Sequence, residues 1–199
     1  MESMTFGFED MQRDMLKGMP AQTYRNLTPQ ELANQAPPAP EGSDQEFWKI
    51  AATVTDPEIP VLSIADLGIL RAATSDDGTP VLTITPTYSG CPAMETITAD
   101  LRRAFTDAGH RQPHVELVLT PAWSTDWMSE IGKAKLEEYG IAPPTGKAAT
   151  GPVHLGLAVK CPHCHSLNTK EMTRFGSTSC KALYQCRDCK EPFDYFKVH

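Results

Sequence analysis

Two C-x-x-C sequences near the C-terminus constrain the fold of this chain more than any other feature. Cys161 and Cys164 form the first pair, Cys186 and Cys189 form the second, and 21 residues lie between the pairs. Each tight turn presents two thiolates, and two such turns complete a tetrahedral set of four sulfurs. A segment of about 40 residues buries little apolar surface, so a bound metal would supply much of its folding energy.

The pattern predicts a zinc ribbon over residues 158–199, with zinc as a structural cofactor. Four protein sulfurs leave no open coordination position, and a closed site of this kind needs no redox chemistry, which favours zinc over iron. His163 and His165 flank the first pair and are weaker ligand candidates. Cys180 is left over, and three roles stay open for it: packing beside the ribbon, replacing a ligand, or redox chemistry.

The sixth cysteine lies in the stretch Pro86-Thr87-Tyr88-Ser89-Gly90-Cys91-Pro92. This stretch joins a strand-like run to a helix-like run, so Cys91 is expected near the start of a helix. Free N–H groups at a helix N-terminus stabilise a thiolate, which predicts a more acidic and more nucleophilic cysteine. The alternative is that Cys91 is a small buried apolar residue that closes the end of a core helix.

The remaining patterns predict four segments. Residues 1–42 form a flexible leader that ends in a Pro-rich linker, residues 43–142 form one domain, residues 143–157 form a second linker, and residues 158–199 form the ribbon. Within the domain the elements follow the order α-β-β-α-β-α. We therefore predict an α+β fold with a small mixed sheet and helices packed on one face.

Three element boundaries follow from cap and periodicity signals. The first domain helix is expected to begin at Ser43, with Glu46 completing a capping box. A strand is expected over residues 114–120, where apolar residues alternate. The last helix is expected over residues 127–139, with Asp126 as its cap and Gly140 as its end.

Charge and hydropathy exclude several functional classes. The net charge of −7 argues against a dedicated nucleic-acid binder. The charge is uneven, because residues 158–199 carry seven basic and four acidic residues, a net of +3, which leaves −10 for the rest. The ribbon could therefore dock on an acidic surface, including its own domain. The sequence shows no membrane-spanning apolar run and no secretory signal, so we expect a cytoplasmic protein.

Three short motifs together resemble the metal–sulfur cluster assembly family, and the resemblance covers residues 45–120. They are Asp56-Pro57-Glu58-Ile59-Pro60, Asp66-Leu67-Gly68-Ile69 and Thr87-Tyr88-Ser89-Gly90-Cys91-Pro92. With residues 121–128, 175–178 and 191–196 included, all of residues 45–199 resembles the PaaD family, a group of accessory components of bacterial phenylacetyl-CoA epoxidases. That system uses a di-iron oxygenase and an iron–sulfur reductase to epoxidise phenylacetyl-CoA in aerobic phenylacetate breakdown.

The resemblance implies an accessory subunit that helps mature an iron–sulfur or di-iron centre. It implies that Cys91 is the reactive residue, that Asp66 and Glu58 lie near it, and that Asp56 begins an acidic loop. Such a ligand set could hold iron or an iron–sulfur cluster transiently, within one chain or across a homodimer. The implied partners are the other epoxidase subunits, including the iron–sulfur reductase.

The residues themselves agree that this chain is not the catalytic subunit. The sequence has no Glu-x-x-His pairs on long helices for a di-iron site, no Gly-rich dinucleotide fingerprint, and no complete ferredoxin cysteine set outside the ribbon. No catalytic residue is therefore assigned.

Several alternatives stay open at this point. Asp66 could cap the turn before Leu67, and Glu58 could be a solvated loop charge. The whole chain could be a non-catalytic scaffold of the same oxygenase, or a general iron–sulfur assembly factor. A thiol enzyme with Cys91 as nucleophile is a further alternative, although its nearest histidines, His110 and His114, follow the far end of the helix.

Overall fold

The computed structural model describes residues 28–145 and 159–198 of the 199-residue chain. The first part of the predicted leader, residues 1–27, lies outside the described residues. So do residues 146–157, which are most of the predicted linker, and residue 158. Secondary structure follows in chain order: α1 (Pro29–Gln35), α2 (Gln45–Ala51), β1 (Leu70–Asp76), β2 (Thr79–Ile84), α3 (Ala93–Asp107), β3 (His114–Leu117), a 3₁₀ turn (Thr125–Trp127), α4 (Glu130–Tyr139), β4 (Ile141–Ala142), β5 (Thr169–Thr173), β6 (Lys181–Cys186) and β7 (Pro192–Phe196).

The main domain is built on a three-stranded mixed sheet in the order β1-β2-β3. β1 and β2 form an antiparallel hairpin, and Asp77 and Gly78 at its turn both have positive φ, 44° and 73°. β3 runs parallel to β2, because α3 carries the chain back across the sheet. The predicted α+β class with a small mixed sheet is confirmed.

Helix α3 places its apolar face against the core. Its buried residues, Ala93, Met94, Ile97, Leu101 and Phe105, recur at helical spacing. Pro92 precedes the helix, and Gly109, at φ 82°, follows its end. Cys91 therefore lies two residues before the first helical residue, close to the predicted place.

Two predicted helix starts are wrong, and a better cap explains each. Asp44, and not Ser43, caps α2, because its Oδ1 accepts the N–H groups of Glu46 and Phe47 at 2.9 and 3.0 Å. Likewise α4 begins at Glu130, because the Ser129 hydroxyl accepts the N–H of Gly132 at 2.9 Å.

Other ends of the elements match or shorten the predictions. Gly140 ends α4 in the left-handed conformation, as predicted. β3 ends at Leu117, three residues before the predicted end.

Residues 28–42 differ from the predicted flexible leader, because they are structured and packed. The Thr28 side chain and Glu31 form a capping box that starts α1. Leu32 and Ala33 of this helix are buried. The Trp48 indole donates a hydrogen bond to the Pro37 carbonyl at 2.8 Å, which fixes the segment after the helix.

The ribbon sheet is joined to the main domain through a shared strand and a shared apolar cluster. Its order is β4-β7-β6-β5, and β4 follows α4 directly, so the main domain supplies one edge strand. Cys180 and Phe196 of the ribbon are buried in the same cluster as the main-domain core. The ring of Phe196 lies 6.1 Å from that of Trp123.

The basic ribbon makes charged contacts with its own acidic domain, which is one of the surfaces that the charge distribution left open for it. Lys160 of the ribbon lies 3.1 Å from the carboxylate of Glu137, and Lys181 acts electrostatically on Asp56. No helix in the described ranges combines the length and the apolar character that crossing a membrane requires.

Gly68 provides a sharp test of this packing. A Cβ added at Gly68 would lie 2.6 Å from both Cβ and the carbonyl oxygen of Trp127, and the residue has φ 70°. Gly78 has a similar φ of 73° but open space around it. We expect Gly68→Ala to lower the free energy of unfolding by about 1–3 kcal/mol more than Gly78→Ala, because only the first adds overpacking to backbone strain.

Urea denaturation of the two variants beside the wild type measures this difference. Equal losses of stability in the two variants would mean that the close approach of Gly68 to Trp127 does not contribute to the free energy of unfolding.

Candidate metal centre and thiol site

The four ribbon cysteines form a metal-ligand group. The sulfur atoms of Cys161, Cys164, Cys186 and Cys189 all lie within 4.8 Å of one another. The Cys161 and Cys189 sulfurs are 3.8 Å apart, and those of Cys164 and Cys186 are 3.5 Å apart. Zn–S bonds of about 2.3 Å give a tetrahedron with sulfur–sulfur edges of about 3.8 Å, so the group fits zinc.

Backbone hydrogen bonds fold each pair into a tight turn. The N–H of His165 donates to the Cys161 carbonyl at 2.9 Å, and the N–H of Cys186 donates to the Glu191 carbonyl at 3.0 Å. His165 and Lys190 adopt positive φ, 61° and 70°. His165 points its Nδ1 at Glu137, 3.3 Å away, which leaves the four sulfurs as the ligand set.

Among the four ribbon thiols, that of Cys186 has a lowered pKa. Desolvation opposes ionisation of Cys186, but the backbone N–H groups of Cys189 and Asp188 and the thiol of Cys164 outweigh it and lower its pKa to about 7. Metal ligation requires thiolates. Cys186 is therefore the ligand that ionises most readily, whereas burial raises the pKa of Cys161, and burial together with the neighbouring sulfurs raises that of Cys189 to about 12.

Cys91 occupies a different environment, at the end of the loop that precedes α3. It is half-buried, and its N–H donates to the Tyr88 carbonyl at 3.2 Å. Gly90, at φ 88°, turns the chain immediately before it. The loop thus holds a single free thiol between the surface and the core.

The prediction that Cys91 is unusually acidic is wrong. Burial raises its pKa, and the charges of Asp56 and Glu58 raise it further, whereas the N–H of Ala93 and the hydroxyl of Thr87 only partly offset these effects. Loss of hydration therefore outweighs the favourable dipoles of the helix start. The raised pKa favours the protonated thiol, so a metal or an electrophile that binds the sulfur has to displace its proton.

Two of the three predicted carboxylates, Asp56 and Glu58, act electrostatically on Cys91. Asp56 is buried, and its Oδ1 accepts the N–H groups of Glu58 and Ile59 at 2.8 and 2.9 Å. Burial raises the pKa of Asp56, while those N–H groups and the charge of Lys181 lower it. Glu58 is exposed, so it is the carboxylate of this pair that is accessible from solvent.

Asp66 is engaged elsewhere, in a fully buried ion pair. Its Oδ2 lies 2.8 Å from Nζ of Lys135, and both side chains are at most 1% exposed. The Ser63 hydroxyl donates to the same oxygen, and the Ser129 hydroxyl donates to Oδ1, each at 2.9 Å. Both carboxylate oxygens thus have internal partners, which matches the alternative in which Asp66 organises its own turn.

Lys135 is a residue that the sequence analysis missed. A signal for it exists, because Lys135 and Leu136 follow Gly132 by three and four residues, which puts all three on the buried face of α4. A lysine on an apolar helix face requires a buried anion, and Asp66 is that anion.

Both modules of the chain match known protein families. Residues 50–111 match the family described as iron-sulfur cluster assembly protein, and residues 147–197 match the PaaD zinc beta ribbon domain. A protein of Escherichia coli (strain K12), named as the D component of 1,2-phenylacetyl-CoA epoxidase, is 48% identical over 168 residues. That match covers 84% of this chain and 98% of the other. The chain belongs to the PaaD family.

Two shorter relatives of this PaaD chain carry names from iron–sulfur biology. An Fe-S protein maturation auxiliary factor of Porphyromonas gingivalis is 33% identical over 96 residues, 47% of this chain and 90% of its own length. The auxiliary factor YitW of Bacillus subtilis is 34% identical over 85 residues, 42% of this chain and 82% of its own.

Removal of Lys135 tests the buried ion pair. We expect Lys135→Met to lower the free energy of unfolding by about 3–5 kcal/mol, because it leaves the Asp66 carboxylate buried without a counter-charge. Lys133 is the matched control on the same helix, since it pairs with Glu130 at the surface. Lys133→Met should cost no more than about 1 kcal/mol in the same denaturation experiment. Similar values for both variants would contradict the assignment.

Metal analysis tests the ribbon site. We expect one zinc per chain, and we expect Cys186→Ser to lose it, because three sulfurs cannot complete the tetrahedron. Loss of zinc should also lower the melting temperature of the main domain, since Phe196 and Cys180 complete its core. Cys180→Ser is the matched control and should retain zinc. A Cys186→Ser protein with full zinc content would refute the site.

Proposed function

We propose that this chain is an accessory subunit of a 1,2-phenylacetyl-CoA epoxidase and assists maturation of its iron–sulfur or di-iron centre through Cys91. The observation that carries the proposal is the match to the Escherichia coli protein, which runs over 98% of that protein's length. The two auxiliary factors of iron–sulfur maturation support the metal-handling part of it.

The environment of Cys91 suits a thiol that receives iron and passes it on. The thiol is half-buried with a raised pKa, and the exposed carboxylate of Glu58 acts electrostatically on it. Iron, as cargo, displaces the thiol proton when it binds, so binding should weaken as the pH falls. A ligand set that is incomplete within the chain suits transfer better than storage.

The ribbon has a structural role in this proposal. Its zinc would stabilise β6 and β7, and thereby hold Cys180, which precedes β6, and Phe196 of β7 against the main domain. The partners are the other epoxidase subunits, with the iron–sulfur reductase as a candidate recipient, and the compartment is the cytoplasm. A homodimer would be one way to bring a second Cys91 to the cargo.

The geometry disfavours a thiol enzyme that uses either nearby histidine as its base. His110 lies beyond the end of α3, a helix whose 15 residues rise about 22 Å. There its ring lies 5.2 Å from that of Phe47, and its Nε2 lies 3.3 Å from the carboxylate of Glu46. His114 is similarly engaged with Glu116 at 3.7 Å. Neither can take a proton from Cys91.

Exchange of Cys91 tests the proposal directly. The epoxidase subunits are expressed with wild-type chain or with Cys91→Ser, and iron and acid-labile sulfide are measured in the purified partners. We expect the iron content to fall at least about tenfold with Cys91→Ser, since loss of outer partners of a metal ligand alone costs that much. Ser89→Ala, an exposed change in the same loop, is the matched control and should leave iron unchanged.

The same experiment separates maturation from a scaffold role. Fully loaded, active partners in the presence of Cys91→Ser would overturn the transfer role of this thiol. If Cys186→Ser then abolished assembly of the complex, the chain would act as a scaffold whose ribbon makes the contacts.

A further inference from the structure

The two C-x-x-C turns of the ribbon, residues 161–164 and 186–189, are joined by side chains that are not metal ligands. Asp188 lies inside the second turn. Its Oδ2 accepts a hydrogen bond from the hydroxyl of Ser166, and its Oδ1 accepts one from the side-chain amide of Asn168 at 2.7 Å. Both partners follow the first turn, so one carboxylate connects the two turns through both of its oxygens.

The backbone of the two partners is tied to the same turns. The carbonyl of Ser166 accepts the N–H of Cys161, the first ligand, at 2.9 Å. The carbonyl of Asn168 accepts the N–H of Arg187, inside the second turn, at 2.8 Å. The N–H of Asn168 also donates to the Ser166 hydroxyl oxygen at 3.0 Å. The contacts therefore form a connected network that runs from a ligand of the first turn to the middle of the second.

Asp188 does not belong to the ligand group itself. Within the described ranges, the group that could hold a metal consists of the four cysteine sulfurs, which complete a tetrahedron. The two oxygens of Asp188 accept an O–H and an N–H donor instead. Asp188 would therefore influence a metal at this site through the positions of the two turns rather than through a bond to the metal.

The separation of the two turns in the sequence explains why such a network matters. The two C-x-x-C pairs are 21 residues apart, and bringing them together closes a loop at a cost in chain entropy. Hydrogen bonds that hold the turns together without the metal offset part of that cost before the metal binds, which leaves more of the interaction free energy for affinity. Hydrogen bonds to a carboxylate are stronger than those between neutral groups, which suits Asp188 to this role.

We propose that Asp188, held by Ser166 and Asn168, is a positioning residue for the ribbon metal. The network keeps the two cysteine turns at ligand spacing independently of the metal, and it thereby raises the affinity of the chain for zinc. This inference concerns the ribbon alone, so its test does not depend on the proposed role of Cys91.

Competition for zinc against a chelator of known affinity tests the role of the carboxylate in the full chain. We expect Asp188→Ala to bind zinc about tenfold more weakly than the wild type. This is the low end of the range for outer partners of metal ligands, because the network is exposed.

Glu171→Ala is the matched control for this measurement. Glu171 is also an exposed ribbon carboxylate, and it accepts the Tyr184 phenol at 3.2 Å between β5 and β6 rather than between the two turns. The substitution removes the same charge, and its zinc affinity should equal that of the wild type. Equal zinc affinities for Asp188→Ala and Glu171→Ala would overturn the inference.

Asp188→Asn separates the hydrogen bonds from the charge, and it keeps the test open if Asp188→Ala does not fold. Asparagine has the same shape as aspartate, and its Oδ1 still accepts a hydrogen bond, although the side chain carries no charge. We expect its zinc affinity to lie between those of the wild type and Asp188→Ala. An affinity as low as that of Asp188→Ala would attribute the effect to charge and contradict the positioning role.

A double-mutant cycle tests whether Asp188 acts through Ser166. Zinc affinity is measured for Ser166→Ala, for Asp188→Ala and for the variant that carries both changes. If their shared hydrogen bond positions the turns, the loss in the double variant is smaller than the product of the two single losses. Losses that simply multiply would show that the two residues act independently, and the network would then have no role in metal affinity.

Cobalt(II) in place of zinc provides a spectroscopic test, because its visible absorption reports the number of sulfur ligands. Since Asp188 is not a ligand, we expect the wild type and Asp188→Ala to give the same four-sulfur spectrum at saturation. The variant should require about tenfold more free cobalt to reach it. A different spectrum in the variant would make Asp188 part of the ligand set, and an unchanged cobalt requirement would remove its effect on affinity, so either result would refute the proposal.

Discussion

The buried ion pair of Asp66 and Lys135 is the interaction on which the rest of this fold depends. The two opposite charges lie 2.8 Å apart and are both buried from water. Removal of either one would leave the other buried without a counter-charge, which strongly destabilises a fold. The pair fixes the turn before β1 to the start and middle of α4, because the Asp66 backbone carbonyl also accepts the Ser129 N–H at 2.9 Å. Since α4 leads directly into β4, the same contact sets where the ribbon sheet begins.

The two groups of cysteines show how one ligand type serves opposite purposes. In the ribbon, four sulfurs converge to within 4.8 Å, which closes the coordination sphere and suits a permanent ion. At the loop before α3, the Cys91 thiol is half-buried, and burial together with the charges of Asp56 and Glu58 raises its pKa. The first arrangement couples metal binding to folding, whereas the second, on the proposed function, leaves coordination positions open for ligands that arrive with the iron.

The sequence could predict whatever is local, and little that is not. The two C-x-x-C pairs defined the ribbon metal group, and the apolar spacing of α3 defined a core helix beside Cys91. The observed caps are Asp44 and Ser129 rather than Ser43 and Asp126. Several nearby polar residues can cap a helix, and their spacing alone does not show which of them will do so. The Asp66–Lys135 pair spans 69 positions, and burial of the thiol at Cys91 depends on packing, so neither the ion pair nor the raised pKa could be predicted from a motif.

On the proposed function, the short strand β4 makes the transfer of iron depend on the ribbon metal. Its two residues pair with β7, and β7 carries Phe196 into the main-domain cluster beside Cys180. We therefore expect that loss of the ribbon metal would also disrupt the apolar cluster against which Cys91 packs. On the proposed function, a cell that runs short of zinc would lose iron delivery at the same step, even though zinc never touches the iron.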